Sequence, residues 1–481
     1  MIEIGRRELL SGSTLLMAGA ALPKPVLAFA PASTSLPPFY EEIERRTFEW
    51  FWTTANRSNG LVPDRWPSPS FASIAAVGFA LPAYAIGVER GWCTRAEARN
   101  LTLTTLRFFW NAPQGPEPSG MTGQAGFFYH FLDMKTGERF RDVELSSVDT
   151  TILLMGVLFA GQYFDRDDAA EAEIRRLSDA LYNRADWNFF RTDGRKAISM
   201  GWHPGEGLIP ANWVGFNEGM FVNILALGSP THPGPADLWD QWTSTYADYW
   251  RGQGPTRRLA FAPLFTHQYS HIFIDFRGIR DGVMRKAGFD YFANSRREIY
   301  ANRAYCIANP MGWAGYSGQL WGLTACDGPG DFVLPYRGRR RKFFGYAARG
   351  PTNEPGGVDD GTIAPTAALG SLPFAPEIVI PCADALRQQP SVFERFGFKD
   401  SFNPSFTFTK MKMDTGTVDP RHGWVGKDYL GIDQGPILLQ AANFRDDFVW
   451  RTMRRVPAIR RGLMRAGFTG GWLTGGSAQR G

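Results

Sequence analysis

Carboxylates recur in this chain where an apolar, small-residue-rich run begins, and aromatic residues stand beside them. Asp142, Glu144 and Asp149 precede or open the run in DVELSSVDTTILLMGVLFA. Glu218 opens one in NWVGFNEGMFVNILALGSP, Asp359 and Asp360 one in GGVDDGTIAPTAALGS, and Asp433 one in YLGIDQGPILL. Each acid alone has an ordinary reading as a helix cap or first-turn acid stabilised by the helix dipole. Capping, however, does not require Trp, Phe or Tyr beside every acid, and carboxylates among aromatic rings suit sugar chemistry. Glycoside hydrolysis needs two carboxyl groups across the scissile bond. One must be protonated, so burial or a like charge must raise its pKa. Glu218 is the expected general acid, because Trp213 and Phe216 just before it can desolvate it and stack on sugar rings. A helix N-terminus favours the ionised form, so burial or a neighbouring acid must win. Glu144 and Asp142 are the expected neighbours in the catalytic cleft. Contacts to sugar are expected from Asp149, Trp213, Phe216, Tyr129, His130, His267, His271, Asp360 and Asp433.

Other constellations carry less. His267 and His271, in FTHQYSHIFIDFR, have the spacing of two metal ligands on a helix face. No Glu lies suitably between them, and residues 272–276 read as strand or irregular apolar chain. A polar wall of a sugar site, or two structural histidines, fits them better than a metal. No metal and no cofactor is expected. Asp327 and Asp331, in DGPGD, read as a Gly/Pro turn rather than a calcium site. The chain carries no phosphate loop, dinucleotide fingerprint, zinc-protease motif or nucleophile elbow.

The elements that must position these groups begin with GFFYHFLDMKTGERFRDVELSS. Residues 127–132 read as a strand carrying Tyr129 and His130, 133–137 as a turn, and 138–143 as the return strand. Ser146 and Ser147 are candidate N-caps, and Asp149 stands three after Ser146, a capping-box spacing. The run 152–160 is apolar on all sides, so its helix is buried. Further helices are expected at 38–56, 71–90, 94–110, 168–184, 218–228, 235–250, 292–307, 362–370, 375–389, 434–444 and 454–466. Apolar helices (146–164, 218–228, 362–370, 434–444) alternate with charged, amphipathic ones (38–56, 94–110, 168–184, 235–250). This alternation predicts an all-α fold of two concentric rings, an (α/α)6 toroid with a β-hairpin and long loops at the active-site end. Inner helices of such a ring run parallel, so their N-terminal acids gather at one end.

Bulk properties narrow the setting. The first 30 residues read as an export signal, with Arg6-Arg7 ahead of a modest apolar run from Leu9 to Leu22. The Arg pair suggests the twin-arginine route and a periplasmic mature protein. The apolar run is too short and too rich in Gly and Ser to span a bilayer, and no integral membrane segment is expected in the mature chain. Export and a net charge of only +5 disfavour nucleic acid as a partner. Basic residues cluster at 337–342 and 451–465, and the second cluster reads as a helix with a solvated face. No linker interrupts the rest, so one catalytic domain is expected over 37–470, with a flexible tail at 471–481 and a monomeric state. Of the 16 Trp, Trp50, Trp66, Trp202, Trp213, Trp313 and Trp321 lie in or near Gly/Pro loops, where aromatics line binding surfaces. The four cysteines show no metal-ligand spacing, and Cys306 with Cys326 is the nearest pair in sequence.

GFFYHFLD, DVELSSVDT, GFNEGM, LALGSPTHP, DDGTIAPTAALGSLPFAPE and GIDQGPILL together resemble the bacterial glucoamylase-like domain, over residues 38 to 468. That group includes the endo-β-1,2-glucanases of glycoside hydrolase family 144. The resemblance implies an (α/α)6 toroid and anomer-inverting hydrolysis of β-1,2-glucan. Related domains in cyclic glucan synthases imply retaining transglycosylation instead. By motif, Glu218 matches the general acid, and Asp142 and Glu144 match acids of the same cleft. The base is less constrained, because inverting relatives relay the proton through a substrate hydroxyl or a water chain. A glycosidase or transglycosylase acting on another β-glucan, a polysaccharide lyase on the same toroid, and a non-catalytic glucan-binding protein stay open as alternatives. Ultraviolet-absorbing unsaturated uronates would identify the lyase, and tolerance to loss of Glu218 the binding protein.

Overall fold

Helices dominate a computed structural model that describes residues 35–191 and 197–476; the expected export signal lies outside the described residues. They are α1 (Pro38–Thr54), α2 (Ile74–Glu89), α3 (Arg95–Asn111), α4 (Ser147–Tyr163), α5 (Ala169–Asn183), α6 (Gly219–Gly228), α7 (Leu238–Thr243), α8 (Tyr269–Phe273), α9 (Gly282–Ala287), α10 (Tyr291–Ala308), α11 (Pro365–Leu369), α12 (Pro376–Arg387), α13 (Gly431–Asp446), α14 (Phe448–Met453) and α15 (Pro457–Arg465). Residues Leu36–Gly481 cluster as one unit.

The helices form two layers. Buried helices α6, α4, α2, α13 and α11 neighbour one another in that order, and α15, α5, α3, α1 and α12 pack behind them. Sequence explains the division. Almost every residue of α2 and α4 is apolar or small and buried, whereas α5 buries one stripe and shows charge on the other face. Glycine permits close crossings: a Cβ on Gly156 would lie 2.1 Å from the Gly78 carbonyl oxygen, so α2 and α4 meet backbone to backbone.

Short strands tie the buried helices together at their N-terminal ends. Ala72–Ser73, just before α2, pairs with Phe131–Leu132, and Leu145–Ser146, just before α4, pairs with Gly201–His203. Arg65–Trp66 pairs with Tyr429–Leu430, just before α13. His130 joins two of these ends, its N–H donating to the Glu144 carbonyl at 3.0 Å while its carbonyl accepts from Ile74 at 3.4 Å. The expected hairpin is therefore broken up. Residues 127–132 divide into Phe127–Phe128 and Phe131–Leu132, and 138–143 forms no strand beyond the Leu132–Arg139 bridge. The turn itself is present, with Asp133 Oδ1 accepting the N–H groups of Lys135 and Thr136. A regular hairpin occurs elsewhere: Phe332–Tyr336 pairs with Arg339–Phe343 and carries the basic cluster.

Other expectations shift at the ends. The helix expected at 235–250 becomes α7 followed by a 3-10 turn, Ser244–Tyr249, and the one expected at 454–466 begins only at Pro457, which lacks an N–H and so sits at a helix start. The basic face expected in water is partly used inside. Arg461 Nε donates to the Gly228 carbonyl at 2.7 Å and Arg465 Nη1 to the Leu227 carbonyl at 2.8 Å, so α15 caps the C-terminus of α6. Gly471–Gly476, placed in the tail by the sequence, form a 3-10 turn, and Trp472 Nε1 donates to the Asp275 carbonyl at 2.8 Å. All four cysteines are free thiols.

Candidate active site

Glu218 ends the loop that leads into α6 and occupies its N-cap position, but its side chain makes no capping bond. It is 9% exposed, and its Oε2 has no hydrogen-bond partner. Burial pushes its carboxyl up to about 7; the charge of Asp149 adds to this, and the backbone amide at the helix start pulls the other way. Burial thus outweighs the helix dipole and brings the titration of this carboxyl close to neutral pH.

Asp149 and Glu144 sit at the start of α4. Ser146 caps the helix by accepting the Asp149 N–H at 3.1 Å and donates its hydroxyl to Asp149 Oδ2 at 2.5 Å. His130 lies between the two acids, with Nδ1 2.9 Å from Glu144 Oε1 and Nε2 3.5 Å from Asp149 Oδ1. Burial alone would lower the imidazole pKa, but Asp149 and Glu144 raise it to about 9. Burial would likewise raise Glu144, yet the His130 bond and charge hold it below its ordinary value. Burial wins at Asp149 and raises it. The group is thus an imidazolium between two acids. Its ligand atoms lie within 4.8 Å of one another, close enough to hold a cation, but a cation would have to displace the His130 proton.

A second acidic group lies at the start of α13. Asp433, Asp400 and Asp327 are buried together, and Arg65 Nη1 reaches Asp327 Oδ2 at 2.7 Å. Burial and Asp400 push Asp433 well above its usual range. Burial raises Asp400 as well, so the pair resists carrying two charges. Burial and Asp400 also push Asp327 up to about 7. Tyr269 feels the charge of both groups: burial, then Asp433, Tyr346, Glu218 and Asp149, raises its phenol pKa.

Glu218, Asp149, Glu144, His130 and Asp433 therefore gather at the N-terminal ends of α4, α6 and α13. Other expected site residues do not join them as free groups. Asp142 is exposed two residues before Glu144. Asp360 is turned into a buried ion pair with Arg349 at 2.8 Å, which holds its carboxyl below the usual value although burial would raise it. Phe216 is fully buried, its ring 4.7 Å from that of His267 and stacked at 5.8 Å on Tyr291. Tyr129 is fully buried, under the Arg139 guanidinium. His267 and His271 are core residues. Burial pushes His271 down to about 3 and His267 far down, so both are neutral. His271 bonds Ser295 Oγ at 3.1 Å and lies on helix α8, which takes in the first two residues of the run 272–276 expected as strand or irregular chain. Trp213 is 5% exposed, and its Nε1 donates to Ser147 Oγ at 2.9 Å. For Trp213 and Phe216 the physical reason is shared: α6 is buried throughout, so the loop entering it must cross packed protein and its aromatics become core. Trp50, Trp313 and Trp321 are likewise buried, while Trp66 and Trp202 stay half-exposed. Trp213→Ala is expected to cost about 3–5 kcal/mol of stability with KM for glucan unchanged in the folded fraction. A raised KM at unchanged stability would restore Trp213 as a sugar contact.

The family model described as "Putative glucoamylase" matches residues 210–457, more than half of the chain and including Glu218 and Asp433. The chain belongs to this family. It is 25% identical over 456 residues to the exo β-1,2-glucooligosaccharide sophorohydrolase (non-reducing end) of Parabacteroides distasonis, covering 88% of this chain. The match spans 57% of that curated relative's length. Among solved structures, a protein of the same description from Bacteroides uniformis is 30% identical with a TM-score of 0.76, covering 90% of this chain and 98% of that one. The endo-β-1,2-glucanase of Chitinophaga pinensis, solved with sophorotriose and glucose, is 25% identical with a TM-score of 0.74 and the same coverage, 90% and 98%.

Sequence reasoning missed Asp400, Asp327 and Arg65 as neighbours of Asp433, and Tyr269 and Tyr346 beside the acids. Their roles come from contacts between segments far apart in the chain, which no local motif announces.

Proposed function

We propose that this chain is an endo-acting glycoside hydrolase of β-1,2-glucan, exported to the periplasm, with its two helical layers closing as an (α/α)6 toroid. The observation that carries the reading is Glu218: a buried carboxyl kept protonated near neutral pH, beside ionisable acids at the meeting point of helix N-termini. The β-1,2-glucan activities named for the relatives supply the substrate class. In the reaction Glu218 gives its proton to the glycosidic oxygen as the C1–O bond breaks. Water adds at C1 and loses a proton to a carboxylate, directly or through a relay, and Glu218 is then reprotonated. Glu144, held ionised by His130, is the carboxylate best prepared to accept that proton, with Asp142 exposed at the rim of the same segment.

The test is incubation with a panel of linkage-defined glucans, with products followed by chromatography and polarimetry. Hydrolysis of β-1,2-glucan to a range of oligosaccharides is expected. Release of sophorose alone would reassign the action as exo, and activity only on another linkage would overturn the substrate. Full activity should survive exhaustive chelation, because the His130 proton already occupies the space between Glu144 and Asp149. Loss of activity restored by one divalent ion would convert that group into a metal site.

A further inference from the structure

Tyr346 is the most exposed of the large apolar side chains outside the core, at 64%. Among the described residues no hydrogen bond or ring stack holds its side chain. An aromatic ring left bare on a loop commonly has no further meaning, but the loop under this one is built with unusual rigidity. The Phe344 N–H donates to Asp360 Oδ2 at 3.0 Å, and Arg349 Nη2 donates to the Phe344 carbonyl at 3.2 Å and the Gly345 carbonyl at 3.0 Å. Arg349 and Asp360 are both buried. A deeply buried ion pair is thus spent on fixing a short segment whose next residue projects a free ring.

The register shows where that ring stands. Ala325–Cys326 pairs with Ala347–Ala348, with Cys326 opposite Ala347. Tyr346 and Asp327 are the residues next to that last pair, one on each segment. Asp327 in turn accepts from Arg65, and its own N–H donates to Asp400 Oδ2 at 2.7 Å. The ring therefore rises beside the Asp327–Asp400–Asp433 group. Protein atoms massed around the phenol, with Asp433 and Asp400, also push its pKa up. The side chain is open to water although its segment borders this buried acidic group.

We propose that Tyr346 is a sugar-stacking platform at the α13 side of the active-site cleft, its ring face receiving one glucosyl unit whose hydroxyls reach the neighbouring acids. The proposal rests on the glucan-hydrolase reading above and adds a binding residue to it. Aromatic rings present a flat apolar face that complements the C–H face of a pyranose, and the adjoining carboxyl groups accept hydroxyl protons. Rigid mounting reduces the entropy lost on binding.

The test uses the full chain, with Tyr346→Ala and Tyr346→Phe compared against wild type on the same glucan panel. Tyr346→Ala should raise KM for the polymer by about tenfold, leave kcat within about threefold, and leave the melting temperature unchanged, because the side chain is exposed. Tyr346→Phe keeps the ring and should behave as wild type in KM. An unchanged KM in Tyr346→Ala overturns the proposal while the hydrolase reading stands. A Phe variant as impaired as the Ala variant overturns stacking. Should wild type prefer another linkage, the variants are compared on that glucan, with the same outcomes. Should wild type act on none of the panel, the hydrolase reading and the proposal that rests on it both fall.

Discussion

Glu218→Gln should reduce hydrolysis by roughly 10²–10⁴-fold, the usual worth of general acid catalysis, and should at the same time stabilise the fold at neutral and higher pH. The second effect follows from the first observation. The Glu218 carboxyl stands at about 7 against an ordinary value of 4.5. Between those two pH values the folded chain holds a proton that the unfolded chain has released. Stability therefore falls as pH rises through this window and is fully retained only below it. At about 1.4 kcal/mol per pH step, the ionised carboxyl costs the wild type about 3 kcal/mol above pH 7. Gln keeps the volume and does not titrate. The denaturation midpoint of the variant should match wild type near pH 4.5 and exceed it at pH 8. Wild-type kcat should decline above about pH 7 as the acid ionises. Activity retained within about threefold would remove Glu218 from the mechanism. Loss of activity without a stability gain at pH 8 would mean that the carboxyl is not held protonated.

The parts of this protein that were legible in the sequence are those decided by neighbours along the chain. Helix α4 is one: Ser146 caps it through the Asp149 N–H, and its unbroken apolar run is buried on every side. The placement of Glu218, Asp149 and Asp433 at the starts of buried helices is another, because the hydrophobic period marks where each helix begins. What was not legible was direction. Asp360 resembles Asp433 in its local setting, two acids ahead of small-residue helices, yet one meets Arg349 and the other a second carboxyl. Phe216 and Trp213 flank the proposed acid in sequence but point into packed protein, whereas Tyr346 lies in a stretch with no motif and points into water. The hairpin failed for a related reason. Its strand residues keep only short contacts with each other, Leu132 with Arg139 and Phe131 with Phe140, because Phe131–Leu132 and Tyr129 pair with the segments preceding α2 and α4, and only the assembled helices determine that choice.

Asp360→Asn should be strongly destabilising, costing about 3–5 kcal/mol. Arg349 is 1% exposed and directs its guanidinium to both Asp360 oxygens, at 2.8 and 2.9 Å, and to the Cys326 carbonyl at 2.6 Å. Removing the carboxylate charge leaves the guanidinium buried without a counter-charge, and the guanidinium cannot escape by losing its proton. Against the roughly 5–15 kcal/mol that separates folded from unfolded domains, such a loss is large. Because the pair holds Asp360 below its ordinary value, its contribution is present at neutral pH and disappears as pH falls through the folded-state value. The deficit of the variant in denaturant should accordingly be greatest at neutral pH and narrow under acid. Removing both partners in Arg349→Met with Asp360→Asn should cost less than the two single changes added together, since no buried charge remains. The same pair clamps the segment that carries Tyr346, so the folded Asp360→Asn protein should also show a raised KM for glucan with kcat less affected. A variant with wild-type stability at neutral pH would show that the ion pair does not hold this part of the fold.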